Sequence, residues 1–163
     1  HSLARTFVAM GYCAFRPNFR GVGESEGTHD EGRGETDDML AVIEEAKRRC
    51  GDIPVVLAGF SFGGFVQTRV AKRLAEANHP IQRMVLVGTA AGFVEGTRSY
   101  DTEAVPNDTI VIHGSTDETV PLANVLKWAE PLELPVVVVP GADHFFHRRL
   151  HVIREIITRS WRH

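Results

Sequence analysis

The chain has 163 residues, enough for one domain with a substantial core, and its 43% apolar and 24% charged residues are ordinary for a globular protein. A formal net charge of −3 leaves no electrostatic footprint for nucleic acid. No run approaches the ~20 apolar residues of a membrane span, so neither nucleic acid nor membrane is expected as a partner.

Leu3, Phe7 and Met10 share one helical face, and Gly11 closes a helix over residues 1–10. Tyr12 to Arg16 reads as a strand stopped by Pro17. Residues 18–34 are rich in glycine and acid and read as a loop. A phosphate-binding reading of that loop fails on two counts. The pattern G-x-G-x-x-G would need glycine at 26, where Glu26 stands, and a Walker loop would need a lysine. No cofactor is expected. Residues 35–50 form a helix, with Asp37 and Asp38 in the first turn. Its apolar stripe is Met39, Leu40, Val42, Ile43 and Ala46, and Lys47, Arg48 and Arg49 complement the last turn before Gly51.

Val55 to Gly59 is a short apolar run bounded by Pro54 and glycine, which reads as a buried strand. The helix after it carries Val66, Val70 and Leu74 at helical spacing and runs to about Ala77. His79-Pro80 breaks it. Strands follow at Met84–Val87, Thr109–His113 and Val136–Val139. Residues 89–108 offer no clear element. A helix over Leu122–Glu130 turns Leu122, Val125, Leu126 and Ala129 inward, and a terminal helix spans His147 to Trp161. Strands alternate with helices, and the strands are continuously apolar. That predicts a mostly parallel sheet covered on both faces, a three-layer α/β/α domain. Cys13 and Cys50 read as isolated thiols without metal-ligand spacing, which points to a reducing, cytoplasmic compartment. No metal site is expected among the histidines.

The chemistry centres on Gly59-Phe60-Ser61-Phe62-Gly63, between a strand and a helix. A serine in so tight a turn needs small residues two positions before and after it, which Gly59 and Gly63 provide. Ligands of open parallel sheets bind beyond the carboxyl ends of the strands. Ser61, Asp117 and His144 each follow a strand, in the order nucleophile, acid, base. A serine hydroxyl is a poor nucleophile until a base takes its proton. His144 is the expected base and later acid, Asp117 its orienting partner, and the backbone N–H of Phe62 one oxyanion donor. Rivals are Glu118, one position too far along, and Asp143, which adjoins His144 on the same loop. Among the histidines they are His147, placed in the terminal helix, and His113, read as structural. Phe60, Phe62 and Phe65 are candidates for an apolar acyl site or for core.

The segments R-P-N-F-R-G-V-G-E-S-E-G at 16–27, D-E-G-R-G-E at 30–35, G-F-S-F-G-G at 59–64, H-G-S-T-D-E-T-V at 113–120 and D-H-F-F-H at 143–147 resemble the α/β-hydrolase superfamily. They are most similar to small, lidless hydrolases related to dienelactone hydrolases and prolyl-peptidase-type domains. The resemblance implies the α/β-hydrolase fold and Ser61, Asp117 and His144 as the triad. Dienelactone hydrolases proper have cysteine where this chain has Ser61. The implied activity is cleavage of a small carboxylic ester or thioester, with a peptidase, an amidase or a non-catalytic member of the fold as alternatives.

Such proteins carry about three further strands before residue 1, with a loop that supplies the second oxyanion donor. Their strand order, 1-2-4-3-5-6-7-8, puts a third strand between those at 12–16 and 55–59. The expectation is therefore a single domain over 1–163, truncated at its N-terminus. The gap would be closed by upstream residues, by direct pairing, or by a second copy in a homodimer. About 20 residues join the strands at 84–87 and 109–113, too few for a separate cap. An uncapped site predicts small substrates.

Overall fold

The structure is a computed structural model that describes residues 2–15, 32–94 and 98–161. It divides into two compact units, His1–Val55 and Val56–His163.

In the first unit, α1 (Ser2–Ala9) ends at Gly11, whose φ of 95° favours glycine. The Tyr12 N–H then returns to the Phe7 carbonyl at 2.9 Å, and the two rings meet edge to face. The second helix, α2, spans Arg33–Cys50, two residues longer at its start than the sequence suggests. Glu35 explains the difference. Its carboxylate turns back to accept the Gly32 N–H at 3.0 Å, so Glu35, not Asp37 or Asp38, is the acid of the first turn. Most of the 18–34 loop lies outside the described residues.

The strand expected at Tyr12–Arg16 is corrected. Residues 12–15 carry no ladder, and Arg16 lies outside the described residues. An extended apolar run becomes a strand only through a partner, and no described strand pairs with it. The two thiols are not isolated either: Cys13 Sγ and Cys50 Sγ lie 3.7 Å apart, both free.

The second unit holds the parallel sheet. Strands β1 (Val56–Phe60) and β2 (Arg83–Val87) are joined by α3 (Phe62–Glu76). A hairpin of β3 (Gly92–Val94) and β4 (Arg98–Tyr100) follows β2. Then come β5 (Ile110–Gly114), α4 (Leu122–Ala129), a 3₁₀ turn (Glu130–Leu132), β6 (Val137–Val139) and α5 (Leu150–Ser160). The sheet order is β1-β2-β5-β6, every pair parallel. Gly59 faces Leu86, Val87 faces Ile112 and Gly114 faces Val139, so the carboxyl ends of all four strands fall on one edge.

Buried Val66, Val70 and Leu74 of α3, Val125 and Ala129 of α4, and Ile153 and Ile157 of α5 supply helical core, and β2 and β5 are almost wholly buried. β1 is a border strand, since among the described residues only β2 pairs with it. β6, the other border, exposes Val137 and Val138, against the expectation of strands buried on both faces. Leu126 is likewise exposed rather than inward, because α4 is amphipathic and buries only the Val125–Ala129 side.

The hairpin occupies the stretch that sequence left unassigned. Asn124 of α4 holds it, donating to the Ala91 and Phe93 carbonyls at 2.9 and 2.7 Å. Thr102 adds a bond to the Ala90 carbonyl at 2.8 Å.

Candidate active site

Ser61 stands between β1 and α3 with φ 56° and ψ −123°, a conformation that costs a non-glycine residue about 1–3 kcal/mol. The strain is held from the end of β2 and the residues that follow it. The Ser61 N–H donates to the Val87 carbonyl at 3.0 Å, and the Ser61 carbonyl accepts from Ala90 N–H at 3.1 Å. The Gly64 N–H also reaches the Ser61 carbonyl, which starts α3 directly at the serine. A Cβ on Gly59 would come within 2.6 Å of the Gly63 oxygen and of Gly64 Cα, so the crowding that the spacing implies is present.

Asp117 and His144 come from the turns after β5 and β6, and those turns are stitched together. The Thr116 N–H and hydroxyl both donate to the Ala142 carbonyl, at 3.1 and 2.9 Å. Gly141 N–H donates to Ser115 Oγ at 2.7 Å. A side chain at Gly114 would collide with the Ala142 carbonyl, so the two turns touch backbone to backbone.

The result is a continuous line of hydrogen bonds. Asp117 Oδ2 accepts from His144 Nδ1 at 2.7 Å, and His144 Nε2 lies 2.9 Å from Ser61 Oγ, placed to accept its proton. Asp117 Oδ1 is anchored by the N–H groups of Thr119 and Val120, at 2.9 and 2.8 Å. Asp117 and His144 are buried and Ser61 half-buried. Burial alone would raise the Asp117 carboxyl's pKa. The bonds from His144 and Val120, and the charges of His144 and His113, outweigh that and hold it below the usual carboxylate range. Asp117 therefore stays ionised beside the imidazole. Phe62, the proposed oxyanion donor, is the first residue of α3, at the positive end of its macrodipole.

The rival residues are elsewhere occupied. Asp143 is partly exposed and clamps His147, accepting from its N–H at 3.0 Å and from its ring. His147 thus precedes α5 rather than lying within it, a correction to the expected helix start. Glu118 is exposed. Of the three phenylalanines, Phe65 is buried and packs with Phe62 and Tyr100, whereas Phe60 is exposed and leans on His144.

His113 has more to do with the site than its position at a strand end suggested. It is wholly buried, its Nε2–H donates to the Val120 carbonyl at 2.8 Å, and the same nitrogen is 3.3 Å from Asp117 Oδ2. Burial lowers its pKa below the ordinary 6.5, against the pull of the Val120 carbonyl and Asp117, and with help from His144. The unfolded chain therefore takes up a proton near that ordinary value that the folded chain resists. This contribution to stability is complete above 6.5 and is lost as pH falls from there through the lower folded value. Thermal unfolding should show Tm declining below that pH, with a shallower decline in His113→Gln. An equal slope in both proteins would remove His113 as the cause.

Comparison with known proteins identifies the fold. A family model described as the alpha/beta hydrolase fold matches residues 1–104. An uncharacterized protein of Rickettsia prowazekii (strain Madrid E) is 30% identical over 87% of this chain and 61% of its own length. Lysophosphatidylserine lipase ABHD12 of Gallus gallus is 35% identical over 60% of this chain and 26% of its own. The chain thus spans less than two thirds of these curated relatives.

Among solved structures, an alpha-beta serine hydrolase homologue from Coxiella burnetii superposes with a TM-score of 0.80 at 34% identity, covering 99% of this chain and 74% of that one. A serine hydrolase without lid from Xanthomonas campestris gives 0.73 at 35%, covering 88% and 62%. With a parallel sheet, a strained serine at the β1–α3 turn and a histidine between that serine and an aspartate, the chain belongs to the α/β-hydrolase fold family.

Proposed function

We propose that the protein is a serine hydrolase that cleaves a small carboxylic ester or thioester through an acyl-enzyme. One observation carries the proposal: the unbroken bond line Asp117–His144–Ser61, at 2.7 and 2.9 Å.

The chemistry follows from it. His144 Nε2 takes the Ser61 proton as Oγ attacks the acyl carbon, and Asp117 stabilises the imidazolium that forms. The Phe62 N–H donates to the oxyanion. The intermediate collapses, the bond to the leaving group breaks, and His144 returns its proton to that group. Water then attacks the acyl-enzyme with His144 again as base, releasing the acid and restoring Ser61.

Two findings favour a small acyl group. The stretch between β2 and β5 is used by a short hairpin pinned to α4, and one structural relative is a serine hydrolase without a lid. The name of the lipase relative is compatible with ester cleavage, but its match is confined to a quarter of that protein.

A series of p-nitrophenyl esters from acetate to laurate tests the proposal. The expected result is preference for the short chains and a loss of at least about 10,000-fold in kcat for Ser61→Ala. Turnover that survives the substitution would overturn the nucleophile. Clear preference for laurate would overturn the small acyl group.

A further inference from the structure

The residues around His144 distinguish the two halves of the ester. The loop carrying His144 is bent so that consecutive phenylalanines diverge. Phe146 takes φ 53° and is buried, while Phe145 points outward and is 59% exposed. The bend is fixed by the Asp143 clamp on His147 and by the Phe146 N–H, which donates to the Asp143 carbonyl at 3.2 Å. Phe145 stands edge-on to the His144 ring, centroids 5.0 Å apart. Phe60, from the end of β1, covers the same imidazole at 4.9 Å and meets Phe145 at 5.9 Å. Two exposed aromatic rings thus border the imidazole proposed as general acid.

Proton transfer fixes what those rings meet. When His144 Nε2–H protonates the departing oxygen, that oxygen lies within about 2.6–3.2 Å of the nitrogen. The carbon attached to it is then beside the imidazole, where Phe60 and Phe145 stand. The acyl carbon is bonded to Ser61, so the acyl chain diverges from this side. We infer that Phe60 and Phe145 form the leaving-group subsite and select esters whose alcohol portion is apolar, with an aromatic ring as the best fit. The inference rests on the hydrolase reading above and adds the chemistry of the alcohol.

Two acetates whose alcohols have similar acidity, benzyl acetate and 2-methoxyethyl acetate, separate the terms. The parent should prefer benzyl acetate by about tenfold in kcat/KM, in the range that single apolar contacts give. Phe145→Ala should bring the ratio of the two kcat/KM values to about one, and Phe145→Leu should recover part of the preference. Deacylation, followed on acetyl-enzyme after the alcohol has left, measures any effect of either variant on His144 itself, and the change in preference should exceed it.

Turnover without discrimination between the acetates, or an equal loss on both in Phe145→Ala, overturns the subsite alone. So does a selectivity change that follows the acyl chain. Absence of ester turnover in the parent, with Ser61 unlabelled by a fluorophosphonate, overturns the hydrolase reading and the subsite with it.

Discussion

Replacing Asp117 by asparagine should lower kcat by about four powers of ten, while Asp143→Asn should leave it within a few-fold. The contrast follows from which atoms each carboxylate serves. Asp117 Oδ1 is fixed by two backbone N–H groups, so an asparagine there keeps its carbonyl oxygen on that side. Its NH₂ group then replaces Oδ2 and faces His144 Nδ1. An amide nitrogen donates and does not accept, so the imidazole must turn its acceptor toward residue 117 and carry its proton on Nε2. That nitrogen can no longer take the Ser61 proton. The fold should survive, because the anchoring bonds are retained.

Asp143, by contrast, is partly exposed and bonded to His147, and no bond to His144 joins it to the line. Steady-state kinetics on a short p-nitrophenyl ester, with circular dichroism on both variants, makes the comparison. A large loss in Asp143→Asn with little effect of Asp117→Asn would move the acid.

The second large effect is expected at Gly59. An alanine Cβ there would lie 2.6 Å from both the Gly63 oxygen and Gly64 Cα. These are backbone atoms in the first turn of α3 and cannot rotate away, so the strand and helix must separate. Overpacking of this kind costs about 1–3 kcal/mol or more. The separation also moves Ser61 relative to His144, where a displacement of about 1 Å can cost about 100-fold in rate. Gly59→Ala should therefore lower both the urea midpoint and kcat. A variant of parental stability and activity would show that the turn is not as tight as described.

What was legible in the sequence, and what was not, has a physical pattern. The strands at 56–60, 83–87 and 110–114 are runs of apolar residues that only a buried parallel sheet explains, and their ends were visible as glycines. Ser61 and Asp117 stood out as candidates because each follows such a run, and His144 because it follows the valine run of β6, which is apolar in sequence although Val137 and Val138 are exposed.

The hairpin at 92–100 was not visible. Gly92-Phe93-Val94 and Arg98-Ser99-Tyr100 are too short to carry a period, and a side chain from α4, far along the chain, holds them in place. The apolar run at 12–15 misled in the opposite way: its composition suits a strand, but a strand requires a partner, and composition does not supply one. Leu126 and Val138 misled because apolar residues also occur on surfaces.

At the site, the ties between the two turns through Ser115, Thr116 and Ala142 connect residues distant in sequence. So do the aromatic contacts of Phe60 with His144 and Phe145. His113 was visible as a strand-end histidine, but its bond to the Val120 carbonyl required the turn to be folded.

The central claim is that Ser61 carries the acyl group. Rapid quenching of the full chain during turnover of p-nitrophenyl acetate, followed by proteolysis and mass spectrometry, tests it most directly. The predicted result is one acetyl group on the peptide containing Ser61, formed in the burst and lost at the deacylation rate. It should be absent from Ser61→Ala. Steady turnover with no acetyl group on that peptide, or with the group on another residue, would contradict the claim.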